Sequence, residues 1–294
     1  HIRAVDADGI AHVKLMDATP IGINVRSTVA TYAGIHDELR KLYAKSPDAK
    51  ALGYKAGDFS YNTGTLRCPG CDGTGVVSLD VQFLPDVNIP CPDCRGSRYS
   101  KAAYTVKLTN KSGAHISLPE LMDMDVNTAI DFCRDIKSVS QKLEILKQLG
   151  LGYLTLDRSA STLSTGERQR MQLARAVRNR TTGVLYVLDE PSIGLHPSNI
   201  VGLTGVLQDL VADGNSVILV DHDTQILKES DWLIEMGPEA GAKGGHIIAQ
   251  GNISTIASDP ASQIGPFLSG TANARLRPCI EKEMLFTNGR IHLS

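Results

Sequence analysis

The chain has 294 residues, 42% of them hydrophobic, so it is long enough to bury a sizeable core and to hold more than one substructure. Its 30 Lys and Arg residues are balanced by 32 Asp and Glu residues, which excludes a global basic field and requires any contact with nucleic acid to be local. No apolar run approaches the roughly 20 residues that cross a bilayer, and the first residues contain neither a signal-peptide core nor an initiator Met. We therefore expect a cytoplasmic piece of a longer protein, with no membrane partner.

Residues 1–63 are of mixed character. The pattern predicts a short strand that runs into a turn at Pro20 to Gly22. A helix is predicted over residues 31–45, because Ile35, Leu39 and Leu42 fall on one face and Pro47 lies beyond its end.

Two C-x-x-C pairs follow, Cys68 with Cys71 and Cys91 with Cys94, separated by 19 residues. Four thiolates at this spacing close a tetrahedral Zn²⁺ shell, and such a closed shell leaves no open position for catalysis. A redox-active C-x-x-C is the competing interpretation, but it does not require two copies. The sequence predicts a structural zinc.

The stretch between the two pairs alternates well enough to predict a hairpin held by the metal. Basic residues surround it, and they form either a solvated surface or a contact to the DNA backbone. They are Arg67, Arg95, Arg98, Lys101, Lys107 and Lys111.

Residues 117–150 contain two predicted helical stretches. The first begins at Ser117 with Pro119 next to it, and the second ends at Gly150 as a C-cap.

The stretch from Ser161 to His222 contains the strongest indications of chemistry. The segment Leu163 to Glu167 opens an amphipathic helix, and a helix start exposes backbone N–H groups that suit phosphate. Val184 to Leu188 is a continuous run rich in β-branched and aliphatic residues, typical of a parallel strand buried on both faces, and it ends in Asp189 and Glu190.

A second run, Val217 to Val220, ends in Asp221 and His222, and the interval from Pro197 to Gly214 predicts the crossover helix between the strands. Because parallel strands place ligands at their carboxyl ends, Asp189 could hold Mg²⁺, Glu190 could orient water and His222 could reach the same crevice. Taken singly, each of these features is more often a solvated turn or a plain cap.

Beyond His222 the pattern predicts a helix, a strand at Trp232 to Met236, a Gly-rich turn and a final strand. The turn is not a phosphate loop, because Lys243 is followed by Gly244, where that motif requires Ser or Thr. No other stretch fits the motif, so we expect the chain alone to hydrolyse ATP negligibly.

In order and spacing, these features resemble the ATP-binding cassette (ABC) ATPases, and among them the UvrA family of bacterial excision repair. The resemblance implies that Ser164, Thr165, Gly166 and Glu167 form the signature motif, which contacts the γ-phosphate of ATP held by a second cassette. It also implies that Asp189 binds the Mg²⁺ of the nucleotide, that Glu190 and His222 are catalytic, and that residues 192–197 are the D-loop. Thr165 stands where the family has Gly, so backbone donation there requires that Thr165 keep a negative φ.

The zinc stretch resembles the second zinc module of the family, and residues 20–34 resemble a family segment that contains Arg26. The resemblance implies DNA contacts for Arg26, with Arg95 and Arg98 as further candidates. The implied fold is α/β, a partial ABC-type ATPase cassette with an inserted helical signature domain and a four-cysteine zinc module. Its parts are residues 1–63 (part of the signature domain), 64–112 (zinc module), 113–160 (helical signature segment), 161–260 (ABC core) and 261–294 (a tail or the start of a following cassette).

Three functions follow from these features. The first is a DNA-damage-sensing ATPase whose partners are double-stranded DNA, a second ABC cassette in the same chain or in a dimer, and UvrB. The second is a UvrA-like paralogue that gives tolerance to DNA-binding drugs, and the third is a zinc-stabilised DNA-binding module without turnover.

Overall fold

The computed structural model describes residues 7–16, 26–79, 87–179, 181–239, 241 and 244–272. Their strands are β1 His12–Met16, β2 Val76–Leu79, β3 Val87–Pro90, β4 Lys107–Thr109, β5 His115–Ser117, β6 Val184–Asp189, β7 Ser216–Val220, β8 Leu233–Gly237 and β9 His246–Gly251. Their helices are α1 Val29–Tyr32, α2 Ile35–Tyr43, α3 Pro47–Leu52, α4 Leu118–Asp123, α5 Val126–Cys133, α6 Lys137–Gln148, α7 Thr165–Asn179, α8 Pro197–Ala212, α9 Thr224–Leu227, α10 Ile253–Ser258 and α11 Gly265–Leu268. The chain divides into two compact units, one up to Ile226 and one from Leu227.

A parallel sheet forms the centre of the first unit, in the strand order β1-β6-β7. The crossover from β6 to β7 is α8, as the sequence predicts, and α7 packs on β1 while α8 packs on β7. One face of β6 is therefore buried, through Val184, Tyr186 and Leu188.

The prediction that these strands are buried on both faces is wrong for the structure as described. Burial alternates along β6 and β7, and the second face exposes apolar side chains from the two outer strands. They are Val13, Leu15, Ile218 and Val220, each more than half exposed. The strands are apolar on both faces, but only one face is packed against α7 and α8.

Helices α1 to α6 form the second part of this unit. The single helix predicted over residues 31–45 is broken at Gly34, which adopts φ +65° and accepts a hydrogen bond on its carbonyl from Lys142 Nζ. Tyr43, and not Leu42, completes the fully buried face of α2. Of the predicted strand and turn before this region, β1 is observed and residues 17–25 lie outside the described part of the chain.

Residues 117–148 form three helices where two stretches were predicted. Ser117 caps α4 through a capping box with Glu120, and Asp125 begins a new helix because its side chain accepts the N–H of Thr128. Gly150 follows α6 with φ +69°, as expected of a helix end.

The unit from Leu227 contains the antiparallel pair β8 and β9 with α10 and α11. The buried carboxylate of Glu235 accepts hydrogen bonds from the Ser262 hydroxyl and from the N–H groups of Gln263 and Ile264, which fixes the chain before α11. The predicted strand and final strand are observed as β8 and β9, while residues 240, 242 and 243 of the Gly-rich turn and residues 273–294 lie outside the described residues. Among the residues described, no helix is long and apolar enough to span a membrane.

A buried hydrogen-bonded chain connects α2 to the segment after Cys94. The Tyr99 hydroxyl donates to Phe59 O and lies 2.7 Å from His36 Nε2, so the neutral ring of His36 donates through Nε2. Burial, with the nearby Arg40, lowers the pKa of His36 to about 3.

The two glycines inside α8 give a test of the packing between α6 and α8. A Cβ on Gly202 would lie 2.2 Å from Gln148 O, whereas a Cβ on Gly205 would meet no atom within 4 Å. We expect Gly202→Ala to lower the free energy of unfolding by about 1–3 kcal/mol, because the backbone of α6 or α8 must move to relieve the contact with Gln148 O. Gly205→Ala should leave it unchanged or raise it by up to about 1 kcal/mol. Urea unfolding of both variants measures this, and equal effects would contradict the close approach of the two helices.

The His36 site makes stability depend on pH. Its pKa is about 3 in the folded chain and about 6.5 when unfolded, so only the unfolded chain takes up this proton as pH falls below 6.5. The contribution of His36 to the free energy of unfolding is therefore complete above pH 6.5. Below pH 6.5 it decreases by up to about 1.4 kcal/mol per pH unit.

We expect His36→Gln to flatten the pH dependence of the free energy of unfolding between about pH 7 and pH 5, because Gln keeps a donor and cannot titrate. Replacement of the exposed His115 by Gln is the control and should leave the dependence as it is. The measurement is urea unfolding with zinc present throughout, and an unchanged slope in His36→Gln would refute the assignment.

Candidate functional site

The four cysteines predicted to bind zinc converge at one buried point. All four Sγ atoms lie within 4.8 Å of one another, with Cys68 and Cys91 3.9 Å apart and Cys71 and Cys94 3.7 Å apart. A regular tetrahedron with Zn–S bonds of about 2.3 Å has edges of about 3.8 Å, whereas a disulfide requires about 2.05 Å. The cluster therefore fits Zn²⁺ and is not a pair of disulfides.

The hairpin between the cysteine pairs brings them together. Strands β2 and β3 pair antiparallel, with Val76 opposite Pro90. Cys91 directly follows Pro90, so it lies beside the end of the loop that contains Cys68 and Cys71. The N–H of Gly75 donates to Cys71 Sγ at 3.2 Å, and Cys91 N donates to Gly75 O. Short backbone contacts thus position the sulfur atoms.

The three arginines predicted to contact DNA lie in different environments. Arg95 is exposed, and Arg26 is partly exposed and forms an ion pair with Asp72 at 2.9 Å. Arg98 is only 7% exposed and its guanidinium lies 5.4 Å from the centre of the Tyr61 ring. The guanidinium of Arg98 is therefore turned into the protein and packed on an aromatic face, and its contact with DNA stays a prediction.

The signature segment, Ser164 to Glu167, lies at the start of α7, and its own side chains cap the helix. Ser164 N donates to the Glu167 carboxylate and Glu167 N donates to Ser164 Oγ, which is a capping box. Thr165 is the first residue of α7 and therefore has a negative φ, so the condition for backbone donation at this position is met. The amides of Thr165 and Gly166 lie in the first turn, where N–H groups have no acceptor within the helix.

Glu167 points inward. It is 5% exposed and accepts a hydrogen bond from the hydroxyl of Tyr153, a residue that is more than half exposed. Burial would raise the pKa of Glu167, but the hydrogen bonds from Tyr153 and Ser164 outweigh it and lower that pKa. Glu167 thus shapes the signature segment, and its carboxylate is already engaged within the chain.

Of the two carboxylates at the end of β6, Glu190 meets the histidine that follows β7. His222 Nδ1 lies 3.5 Å from Glu190 Oε1, and both side chains are exposed, as is Asp189. Glu190 N donates to Val220 O at 2.7 Å, and Glu190 adopts φ +48°, which turns the chain sharply after the strand. The Glu190 carboxylate thereby points to His222.

The carboxylate of Asp221 holds the two loops in register. It accepts the N–H and hydroxyl of Ser192, at 3.2 and 2.6 Å, and also the N–H groups of His222 and Asp223. The loop after β6 is therefore tied to the loop after β7. The sequence pattern placed Asp221 at a strand end but gave no indication of this contact.

Two buried polar side chains join α7 to these loops. Gln169 Nε2 donates to Asp189 O at 2.7 Å, and Arg170 Nη1 donates to Ile193 O at 3.2 Å. A Cβ on Gly166 would lie 3.1 Å from Ile193 O, so glycine permits this close approach. Arg170 is 4% exposed, although a charged residue in an amphipathic helix is expected on the solvent face. A Gln-Arg pair that begins two residues after the Glu of a capping box is the signal that could have identified these residues.

The zinc assignment predicts that the purified chain contains one zinc ion. We expect Cys91→Ser to lose the metal and the β2–β3 hairpin, because three thiolates no longer close the shell. Cys133→Ser is the matched control, since Cys133 is a buried free cysteine outside the cluster, and it should retain zinc. Metal analysis and the thiolate absorption of the Co²⁺-substituted chain measure the outcome, and a metal-free wild type with ordered cysteines would overturn the assignment.

Comparison with known proteins gives a consistent result. No family model matches the chain. It is 41% identical over 275 residues to UvrABC system protein A of Streptomyces coelicolor, covering 93% of this chain and 27% of that protein. It is 41% identical over 266 residues to UvrABC system protein A of Thermus thermophilus, covering 89% and 27% respectively.

A solved structure agrees with these relatives. The crystal structure of UvrA2 from Deinococcus radiodurans matches with a TM-score of 0.75 at 40% identity, over 90% of this chain and 32% of that one. The chain thus spans about a quarter of the length of the curated relatives. Over about nine-tenths of its residues, in sequence and in fold, the chain belongs to the UvrA family.

Proposed function

We propose that the protein containing this chain is an ATPase that recognises distorted duplex DNA in nucleotide excision repair, and that ATP binding and hydrolysis control its dimeric and DNA-bound states. The observation that carries the proposal is the meeting of Glu190 and His222 at the carboxyl ends of adjacent parallel strands. The identity of about 40% to UvrABC system protein A supports it.

The residues at the strand ends take separate roles in this proposal. Asp189 would ligate Mg²⁺, which supplies charge neutralisation at the phosphates. Glu190 orients or deprotonates the attacking water. His222 holds the Glu190 carboxylate in place and faces the phosphates of the nucleotide. Asp221 positions both by fixing the loops that follow β6 and β7.

The signature segment serves a nucleotide bound on a second ABC cassette, in the same protein or in a dimer. The amides of Thr165 and Gly166 and the hydroxyl of Ser164 face the anion, and the helix dipole of α7 favours it. Gln169 and Arg170 connect this segment to Asp189 and Ile193, which belong to the end of β6 and the loop after it; we call residues 189–193 the carboxylate loop. Nucleotide binding and water positioning are therefore mechanically linked.

DNA is recognised through its backbone and its deformability, without readout of base identity. Arg95 and Arg26 are the side chains we assign to this contact, and UvrB is the proposed protein partner. The match to a UvrA2 structure favours a second candidate, a paralogue that gives tolerance to DNA-binding drugs. Complementation of an excision-repair deletion by the full-length gene separates the two, since only the first restores survival after ultraviolet damage.

The catalytic assignment is tested in the longer protein that includes a phosphate loop. We expect Glu190→Gln to reduce ATP turnover by about 10²–10⁴-fold while nucleotide affinity is retained, because only the group that positions water is removed. Asp189→Asn should instead weaken Mg²⁺-dependent nucleotide binding. Nucleotide affinity and phosphate release are measured for both variants.

Asp209→Asn, an exposed change of the same kind on α8, is the control and should behave as the wild type. Wild-type turnover in Glu190→Gln would show that this carboxylate has no part in hydrolysis. Duplex binding by a protein that never turns over ATP would favour the zinc-stabilised binding module.

A further inference from the structure

Two arginines close on a single carboxylate beside the zinc cluster. Arg26 Nη2 lies 2.9 Å from Asp72 Oδ2, and Arg67 Nη2 lies 3.0 Å from Asp72 Oδ1. Both arginines also donate through Nη1 to the carbonyl of Asn62, at 3.4 and 3.1 Å. The two guanidinium groups therefore form a fork around one anion; we call Arg26, Arg67 and Asp72 the arginine fork.

The zinc loop fixes the carboxylate within this fork. Asp72 lies between the ligand Cys71 and Gly73 and adopts φ +51°, a left-handed conformation that Asp tolerates. Gly73 also has a positive φ, and a Cβ there would lie 1.7 Å from Tyr61 O, so the loop is pressed against the backbone. The position of Asp72 is thus set by the zinc module.

Further contacts hold the arginines of the fork in place. The Tyr61 hydroxyl donates to Arg26 O at 3.1 Å, and Arg26 Nη2 donates to Asp72 O at 3.0 Å. Arg67 directly precedes the ligand Cys68. The fork is therefore pre-organised and does not depend on freely rotating surface side chains.

Carboxylate and phosphate oxygens accept hydrogen bonds from the same paired N–H donors of arginine. A phosphate can therefore take the place of the Asp72 carboxylate between the two arginines. The exposures of the side chains show which partner can leave. Asp72 is 59% exposed, whereas Arg26 and Arg67 are 27% and 38% exposed. An incoming anion meets the carboxylate first, and the arginines remain in place behind it.

We propose that the arginine fork is a phosphate-binding site for the DNA backbone, and that Asp72 occupies it until a phosphate displaces the carboxylate. Asp72 thereby weakens non-specific binding and makes the zinc loop responsive to DNA. This inference rests on the proposed DNA-binding function and adds Arg67 and the gating residue Asp72 to it.

The test compares two removals of one negative charge from the zinc module. Asp72→Asn opens the fork, while Asp93→Asn, an exposed carboxylate in the other C-x-x-C pair, is the matched control. Binding of a fluorescein-labelled duplex of mixed sequence to the purified chain is measured by anisotropy over a range of salt concentrations. Zinc content and circular dichroism confirm that each variant is folded, and Asp72→Gly provides a second variant that accepts the positive φ.

We expect Asp72→Asn and Asp72→Gly to bind the duplex on the order of threefold to tenfold more tightly at low salt, with a log–log salt slope steeper by about one. Asp93→Asn should change affinity less and leave the slope unchanged. In an Arg67→Ala background the gain from Asp72→Asn should fall, because one arm of the fork is missing.

Equal effects of Asp72→Asn and Asp93→Asn would overturn the inference, since net charge alone would then explain them. Weaker binding by folded Asp72 variants would also overturn it, because the carboxylate would then be a fixed clamp that supports the arginines. No duplex binding by any variant at low salt would overturn the proposed DNA-binding function of this chain, and the inference with it.

Discussion

The pairing of β6 with β7 is the constraint on which the candidate catalytic geometry depends. The parallel register places Asp189 opposite Val220, and the ladder continues one step further through Glu190 N and Val220 O. This last bond fixes Glu190 beyond the strand, in a left-handed conformation that directs its carboxylate toward His222. A slip of one residue would turn Glu190 to the other face of the sheet and separate the pair.

Helix α7 couples the signature segment to that pair through buried polar side chains. Gln169 holds the end of β6 and Arg170 holds the loop after it, while Glu167 closes the first turn of the helix. Buried polar groups are retained when their hydrogen bonds are made, and here the partners are backbone carbonyls of the carboxylate loop. A displacement of the signature segment would therefore move the end of β6 and the loop that follows it.

The zinc module and residues 26–61 are joined by aromatic and arginine side chains. Tyr61 contacts Arg98 through its ring and Arg26 O through its hydroxyl, and Tyr99 reaches His36 in α2. The four-cysteine cluster therefore lies within a larger set of contacts, because the segments on both sides of it carry these side chains. The arginine fork lies on the exposed side of the same assembly.

The sequence by itself determined the four cysteines that cluster, the strand ends with Asp189, Glu190 and His222, the crossover helix and the helix caps. These features depend on local spacing and periodicity, which are legible in a single chain. Only the tertiary structure decided that Arg98 is buried, that Asp221 ties two loops together and that Asp72 closes the arginine fork. These contacts join residues far apart in sequence, as Arg26 and Asp72 are 46 positions apart and His36 and Tyr99 are 63 apart. Local pattern shows whether a side chain is polar, but only the packing of distant segments determines whether that polar group meets solvent or an internal partner.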